Sequence, residues 1–170
     1  DPTETYRAQF EALMESESRL KSIFRAAPVG IGLVSNRVML DVNERLCEMV
    51  GYPREELIGR HARMLYPTQE DSDYVGQEKY RQIHEGGTGA VETHWRRKDG
   101  RVIDVLLSST PLDPNDLAAG VTFTALDITD RKRAEESLKQ QERRLQESER
   151  KLRTLMGNLP GIAYLCANTP

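Results

Sequence analysis

Residues 89–110, GAVETHWRRKDGRVIDVLLSST, decide the fold. Two runs rich in β-branched and aromatic residues flank Asp99-Gly100, a dipeptide that readily supplies the positive φ of a tight hairpin. The pattern predicts two antiparallel strands across that turn. Side chains alternate sides along a strand. Val91, Thr93 and Trp95 therefore share one face, and Glu92, His94 and Arg96 the other. In the second run Ile103, Val105 and Leu107 alternate with Asp104, Leu106 and Ser108. The odd-numbered set is the inward one. A third run, GVTFTALDI (120–128), repeats the pattern with Val121, Phe123 and Ala125 inward. The stretch between, PLDPNDLAAG (111–120), reads as a loop.

Upstream, PVGIGLV (28–34) and RVMLDV (37–42) predict two short strands around a turn at Ser35 and Asn36. NERLCEMVGY (43–52) predicts a short helix capped by Asn43 and stopped by Gly51. PREELIGR (53–60) gives a turn opened by Pro53, and TQEDSDYVGQEKYRQIHEGG (68–87) a longer helix ended by Gly86 and Gly87. Downstream, ALDITDRKRAEESLKQ (125–140) passes from strand into charged helix with no Gly or Pro between. Leu138, Leu145, Leu152 and Leu159 then recur every seventh residue. Ala134, Gln141, Ser148 and Leu155 occupy the intervening core-type positions, which makes a weak coiled-coil seam. Glu135–Lys139, Glu147–Lys151 and Glu149–Arg153 are spaced for i,i+4 pairing. Tyr6, Leu13 and Leu20 form a comparable stripe near the N-terminus. The expectation is a homodimer through the two flanking helices, parallel or antiparallel.

A repeat frames the middle of the chain. ESESRLKSIFRAAPVGIGLV (15–34) matches ESERKLRTLMGNLPGIAYLC (147–166) at an offset of 132 residues. In each copy a charged helix ends near a Pro and a short apolar run follows. The expected organisation is an N-terminal helix over 1–27, one complete domain over 28–129, a coiled-coil linker over 130–157, and the opening of a second such domain over 158–170.

Composition excludes several classes. A net charge of −3 argues neither for nucleic acid nor for an acidic membrane surface. No apolar run approaches the ~18 residues of a membrane helix. Cys47 and Cys166 stand far apart without CxxC spacing, which argues against a disulfide framework or a zinc site. The N-terminus lacks both an initiator Met and a signal-peptide pattern, so the chain reads as a cytoplasmic fragment of a longer protein. No phosphate loop, nucleophile elbow or kinase signature is present, and the expectation is a non-enzymatic module. Glu55 and Glu56 are adjacent on a helical turn and read as solvated. Asp71 and Asp73 suit a helix start. His61, His84 and His94 lack a second metal ligand at suitable spacing. No metal site is expected.

The order of two strands, small helices and three strands resembles a PAS sensor domain. NERLCEMVGYPREELIGR resembles that family's Asn-containing Gly-Tyr-x-x-x-Glu-Leu-x-Gly run, RRKDGR its strand hairpin, and LDITDRKRAEE its closing Asp-Ile-Thr. The resemblance covers roughly Leu20 to Arg133. It implies an α+β fold, a five-stranded antiparallel sheet with small helices on one face, cupped around a pocket and flanked by helices. Pocket candidates are Thr93, Trp95, Val105, Leu107, Phe123 and Ala125 from the sheet, with Leu46, Met49, Met64 and Tyr80 from the helices. Trp95 either lines that pocket or fills it. Light-sensing flavin members carry a cysteine where GRHARML (59–65) has Ala62, and flavin-binding amides where this chain has Trp95, Val105 and Ala125. The haem-ligating histidine of oxygen-sensing members falls on Asp73. No flavin, haem or other cofactor is therefore expected. The resemblance further implies an output domain in the same chain, a histidine kinase or cyclic-dinucleotide enzyme. Asp127, Ile128 and Thr129 would transmit the signal, and Leu138, Leu145 and Leu152 would line the dimer helix.

Overall fold

The computed structural model describes residues 2–157. The expected start of a second domain at 158–170, with Leu159, lies outside the described residues. Elements follow the order α1 (Pro2–Ala26), β1 (Gly30–Ser35), β2 (Val38–Val42), α2 (Glu44–Val50), α3 (Arg54–Leu57), a 3₁₀ turn (Ala62–Leu65), α4 (Gln69–Gly86), β3 (Gly89–Arg96), β4 (Val102–Asp113), β5 (Asp116–Asp127) and α5 (Thr129–Gly157). The strands form one antiparallel sheet in the order β2-β1-β5-β4-β3. The chain divides after Thr129 into two units. In the first, α2 packs on β1, α3 on β2, and α4 on β3 and β4.

The period-2 pattern holds in all three long strands. Thr93, Trp95, Ile103, Val105, Leu107, Val121, Phe123 and Ala125 are buried, while Glu92, His94 and Arg96 are exposed. Met39, Leu46, Val50, Leu57, Leu65, Val75, Val105 and Leu107 close the core at 0–2% exposure. Each such side chain contributes about 1.5–3 kcal/mol relative to an exposed position.

Three turns differ from expectation. The β3–β4 connection is a turn closed by the Gly100 N–H on the Arg97 carbonyl at 2.9 Å, with Gly100 at φ 87° and a second bond from the Arg97 N–H to the Arg101 carbonyl. The hairpin thus uses Lys98 as well as Asp99-Gly100, a type I turn with a glycine bulge. The stretch 111–120 is not a loop. β4 and β5 run on to pair Asp113 with Asp116 across Pro114-Asn115, because long strands that already share a face gain by continuing the ladder. Finally, the β1–β2 turn falls on Asn36 and Arg37, at φ 49° and 65°. Two consecutive positive φ values define a turn whose twist matches the flanking strands.

Helix ends follow the capping rules. The Asn43 side chain accepts from the Leu46 N–H, and Gly51 closes α2 at φ 75°. Thr68 caps α4 and Gly87 ends it at φ 77°. PREELIGR holds one short helix, α3, which carries Glu56 to within 2.7 Å of Lys98 Nζ. Glu56 is thus paired rather than simply solvated. In α5, Leu138, Leu145 and Leu152 are 57–61% exposed. The expected i,i+4 pairs are not formed there, and Glu135 lies 3.7 Å from Arg131 instead. Exposed pairs differ by only tenths of a kcal/mol, so one partner readily replaces another.

Candidate functional site

A cavity of about 50 Å³ lies between the inner sheet face, α4 and the 3₁₀ turn. Of the expected pocket residues, Tyr80, Trp95, Leu107 and Phe123 line it. The others sit elsewhere in the interior. Leu46, Thr93, Val105 and Ala125 are buried in the packed core, and Met49 and Met64 are half-buried against it. Ala62 lines the cavity. Asp73 does not face it, being exposed and bonded to Gln69 Nε2.

Trp95 occupies part of the space without closing it. It stands edge-on to Tyr66 and to Phe123, with ring centroids 6.3 Å apart in both pairs. Its indole N–H, on a residue 3% exposed, has no hydrogen-bond partner. Burial raises the Tyr66 hydroxyl pKa, and the nearness of Trp95 and Arg37 works against that rise. The Trp95 and Tyr66 groups are neighbours, but not in hydrogen-bond geometry.

Two cations reach the cavity that sequence reasoning did not place there. Arg37 enters from the β1–β2 turn, and its guanidinium donates to the Ser72 carbonyl at 2.9 Å and to Ser72 Oγ at 2.8 Å. It stands 5.9 Å from the Tyr66 ring centre. Gly76 borders the passage. A Cβ there would meet Arg37 Nη1 at 3.0 Å, which accounts for a helix-interior glycine worth about 1 kcal/mol less than alanine. Lys79 is half-buried, and its ammonium donates to Ser109 Oγ at 2.7 Å, on a residue 1% exposed. Burial, with Arg37 adding to it, lowers the Lys79 pKa from 10.5 to about 8. Burial and the Arg37 charge also hold His61 below its ordinary value. Gly76, Lys79, Tyr80 and Ile83 follow i,i+3,i+4,i+7 spacing, the periodicity that marks one helix face; it was available in the sequence.

The strand exit forms a second cluster. Asp127 Oδ1 accepts from the Thr129 N–H at 2.9 Å. Thr129 Oγ1 accepts from the Asp104 N–H at 2.9 Å, and the Ile128 N–H donates to the Asp104 carbonyl at 2.9 Å. Asp104 on β4 is therefore bracketed by the two residues after β5, and its carboxylate lies 3.4 Å from His94 Nε2 on β3. Ile128 and Thr129 are buried at 3% and 9% exposure.

At the entry, Asn43 satisfies four partners. It accepts from the Ile31 and Leu46 N–H groups at 2.9 and 3.0 Å, and donates to the Phe24 and Val29 carbonyls at 3.0 Å each. One buried amide thus joins the end of α1, β1 and the start of α2.

A five-stranded antiparallel sheet cupping a small cavity under short helices, with a helix at each end of the chain, is the architecture of a sensory domain. Residues 28–130 match the PAS domain family, and the chain belongs to it. It is 34% identical over 117 residues to the sensor protein TdiS of Thauera aromatica, covering 69% of this chain and 21% of that protein. It is 31% identical over 134 residues to the C4-dicarboxylate transport sensor protein DctS of Rhodobacter capsulatus, covering 72% and 20%. The chain therefore spans about a fifth of the length of these relatives. Among solved structures, the PAS domain of a LuxR-family transcriptional regulator from Burkholderia thailandensis, in complex with ethanol, superposes with a TM-score of 0.60 at 27% identity, covering 64% of this chain and 96% of that one. No helix among the described residues is long and apolar enough to cross a membrane.

Proposed function

We propose that the chain is the sensory and dimerisation module of a larger signalling protein, cytoplasmic, with a histidine kinase or cyclic-dinucleotide enzyme as output. A change at the cavity alters the sheet, and the residues after β5 carry that change into α5. The observation that carries this reading is the bracket of Ile128 and Thr129 on Asp104. Backbone and side-chain bonds at one β4 residue fix the chain where it leaves the sheet, so a shift of β4 reaches the next segment without a slack linker. The exposed stripes of Tyr6, Leu13 and Leu20 on α1, and of Leu138, Leu145 and Leu152 on α5, support association with a second copy. The alternative of a haem or flavin sensor has less support, since about 50 Å³ accommodates neither group. In the full-length protein, one residue inserted after Arg133 rotates the leucine stripe by about 100° and is expected to change output. A seven-residue insertion restores the phase of the heptad and is expected to preserve it. Equal output from both would refute helical transmission.

A further inference from the structure

The cavity wall presents an unusual balance of polar groups. Its charged members are Arg37 and Lys79, and neither has a carboxylate partner among the described residues. The Trp95 indole N–H beside them has no acceptor. Arg37 and Lys79 donate to serine oxygens but meet no counter-charge, and a buried N–H without an acceptor, as at Trp95, is costly. Arg37 bears a further cost, since a residue with a Cβ at φ 65° occupies a conformation that glycine takes freely. That conformation sends its side chain towards α4, where Gly76 gives it room. Apart from Ser109 and the two tyrosines, Tyr66 and Tyr80, the rest of the wall, including Met39, Leu65, Ile83 and Val121, is apolar. Beside the roughly 10–15 Å³ that one water needs, about 50 Å³ holds a molecule of only a few non-hydrogen atoms.

We infer that this cavity binds a short-chain aliphatic carboxylate, its carboxylate held by Lys79 and Arg37 and its alkyl tail against the apolar wall. The inference rests on the sensory reading of the cavity and adds the chemical class of its ligand. The charge-assisted bonds supply orientation, and the apolar wall discriminates against inorganic anions. The ionisable groups that share the cavity with Lys79 are Arg37 from the β1–β2 turn, Tyr66 after the 3₁₀ turn and Tyr80 on α4.

The test is calorimetric titration of the 170-residue chain with sodium propionate, 1-propanol and sodium phosphate, each to about 10 mM, a range suited to so few ligand atoms. Propionate is expected to bind saturably, and 1-propanol and phosphate at least about tenfold more weakly. With Lys79 titrating near pH 8, propionate affinity is expected to fall about tenfold from pH 7 to 9, while the ligand stays ionised throughout. Lys79→Met, its fold checked by circular dichroism, is expected to lose at least about tenfold at pH 7. Absence of saturable propionate binding, 1-propanol or phosphate binding as well as propionate, or an affinity unchanged up to pH 9 would each overturn the proposal. The pH series uses the unaltered protein and stands even if the variant misfolds. A chain that takes 1-propanol but not propionate loses the anion reading and keeps the sensory one. The insertion series in the full-length protein judges the sensory reading separately.

Discussion

Replacing Lys79 with methionine gives the sharpest energetic test of the cavity. The fall of its pKa from 10.5 to about 8 corresponds, at about 1.4 kcal/mol per decade, to about 3 kcal/mol spent in keeping Lys79 charged at pH 7. Solvent reaching this half-buried residue brings the figure to about 2–3 kcal/mol. Lys79→Met removes that cost and leaves the Ser109 hydroxyl without its partner, a loss of about 1 kcal/mol. The variant should therefore be more stable than the parent by about 1–2 kcal/mol at pH 7. Between pH 8 and 10.5 the unfolded parent holds a proton that folded Lys79 has released, so the parent's stability rises with pH across that window. The variant lacks the group and does not share the rise. Its advantage should shrink above pH 8 and reverse near pH 10. Urea unfolding of both proteins in half-unit pH steps, followed by Trp95 fluorescence, gives the difference directly, and groups common to both cancel. A variant less stable at pH 7, or a difference that does not move with pH, would refute the reasoning.

Asn43→Ala removes a cap and leaves half-buried partners at Ile31, Phe24 and Val29; it should cost about 2–3 kcal/mol in chemical unfolding, and a loss under about 1 kcal/mol would contradict that role. Light scattering at about 100 µM, where an association worth about 5.5 kcal/mol is half complete, should find a dimer that Leu145→Glu dissociates; a monomeric parent sinks the dimer. Thr129→Val should cost only about 1 kcal/mol, yet uncouple output from signal in the full-length protein; unchanged coupling in a kinase or cyclase assay would remove Thr129 from the transmitter. Trp95 fluorescence should resemble indole in an apolar medium, and emission like free indole in water would reverse the strand register.

Much of the fold was legible because period 2 and turn chemistry are local. Asp99-Gly100, Asn43, Gly51 and Gly87 act where they stand, and the inward set of β3, β4 and β5 follows from alternation alone. The β4–β5 extension was hidden because Pro114 and Asn115 sit in a run of turn-forming residues, and only the pairing of Asp113 with Asp116 shows that two of them suffice. The site was less legible. Its apolar half, Trp95, Leu107 and Phe123, came from the same alternation. Its charged half depends on contacts between segments far apart in sequence: Lys79 with Ser109, and Arg37 with Ser72. An arginine after a presumed Ser35-Asn36 turn reads as the start of a strand. One residue of shift, to Asn36-Arg37, aims it inward instead.

If the module transmits as proposed, the four bonds of Asn43 would give it a second port. An amide is the one side chain here that can accept twice and donate twice, so aspartate, for all its likeness in size, would set a negative charge against two carbonyl oxygens. The same node that caps the start of α2 grips the last turn of α1 through Phe24, the approach to β1 through Val29 and β1 itself through Ile31. β1 lies beside β5, with Ile31 opposite Thr124, and β5 leads directly to Thr129. A twist applied to α1 thus enters the sheet one strand away from the exit. Placed in series with other modules, such a domain would pass on torque received from upstream and add its own chemical reading to it, working as a joint as well as a detector.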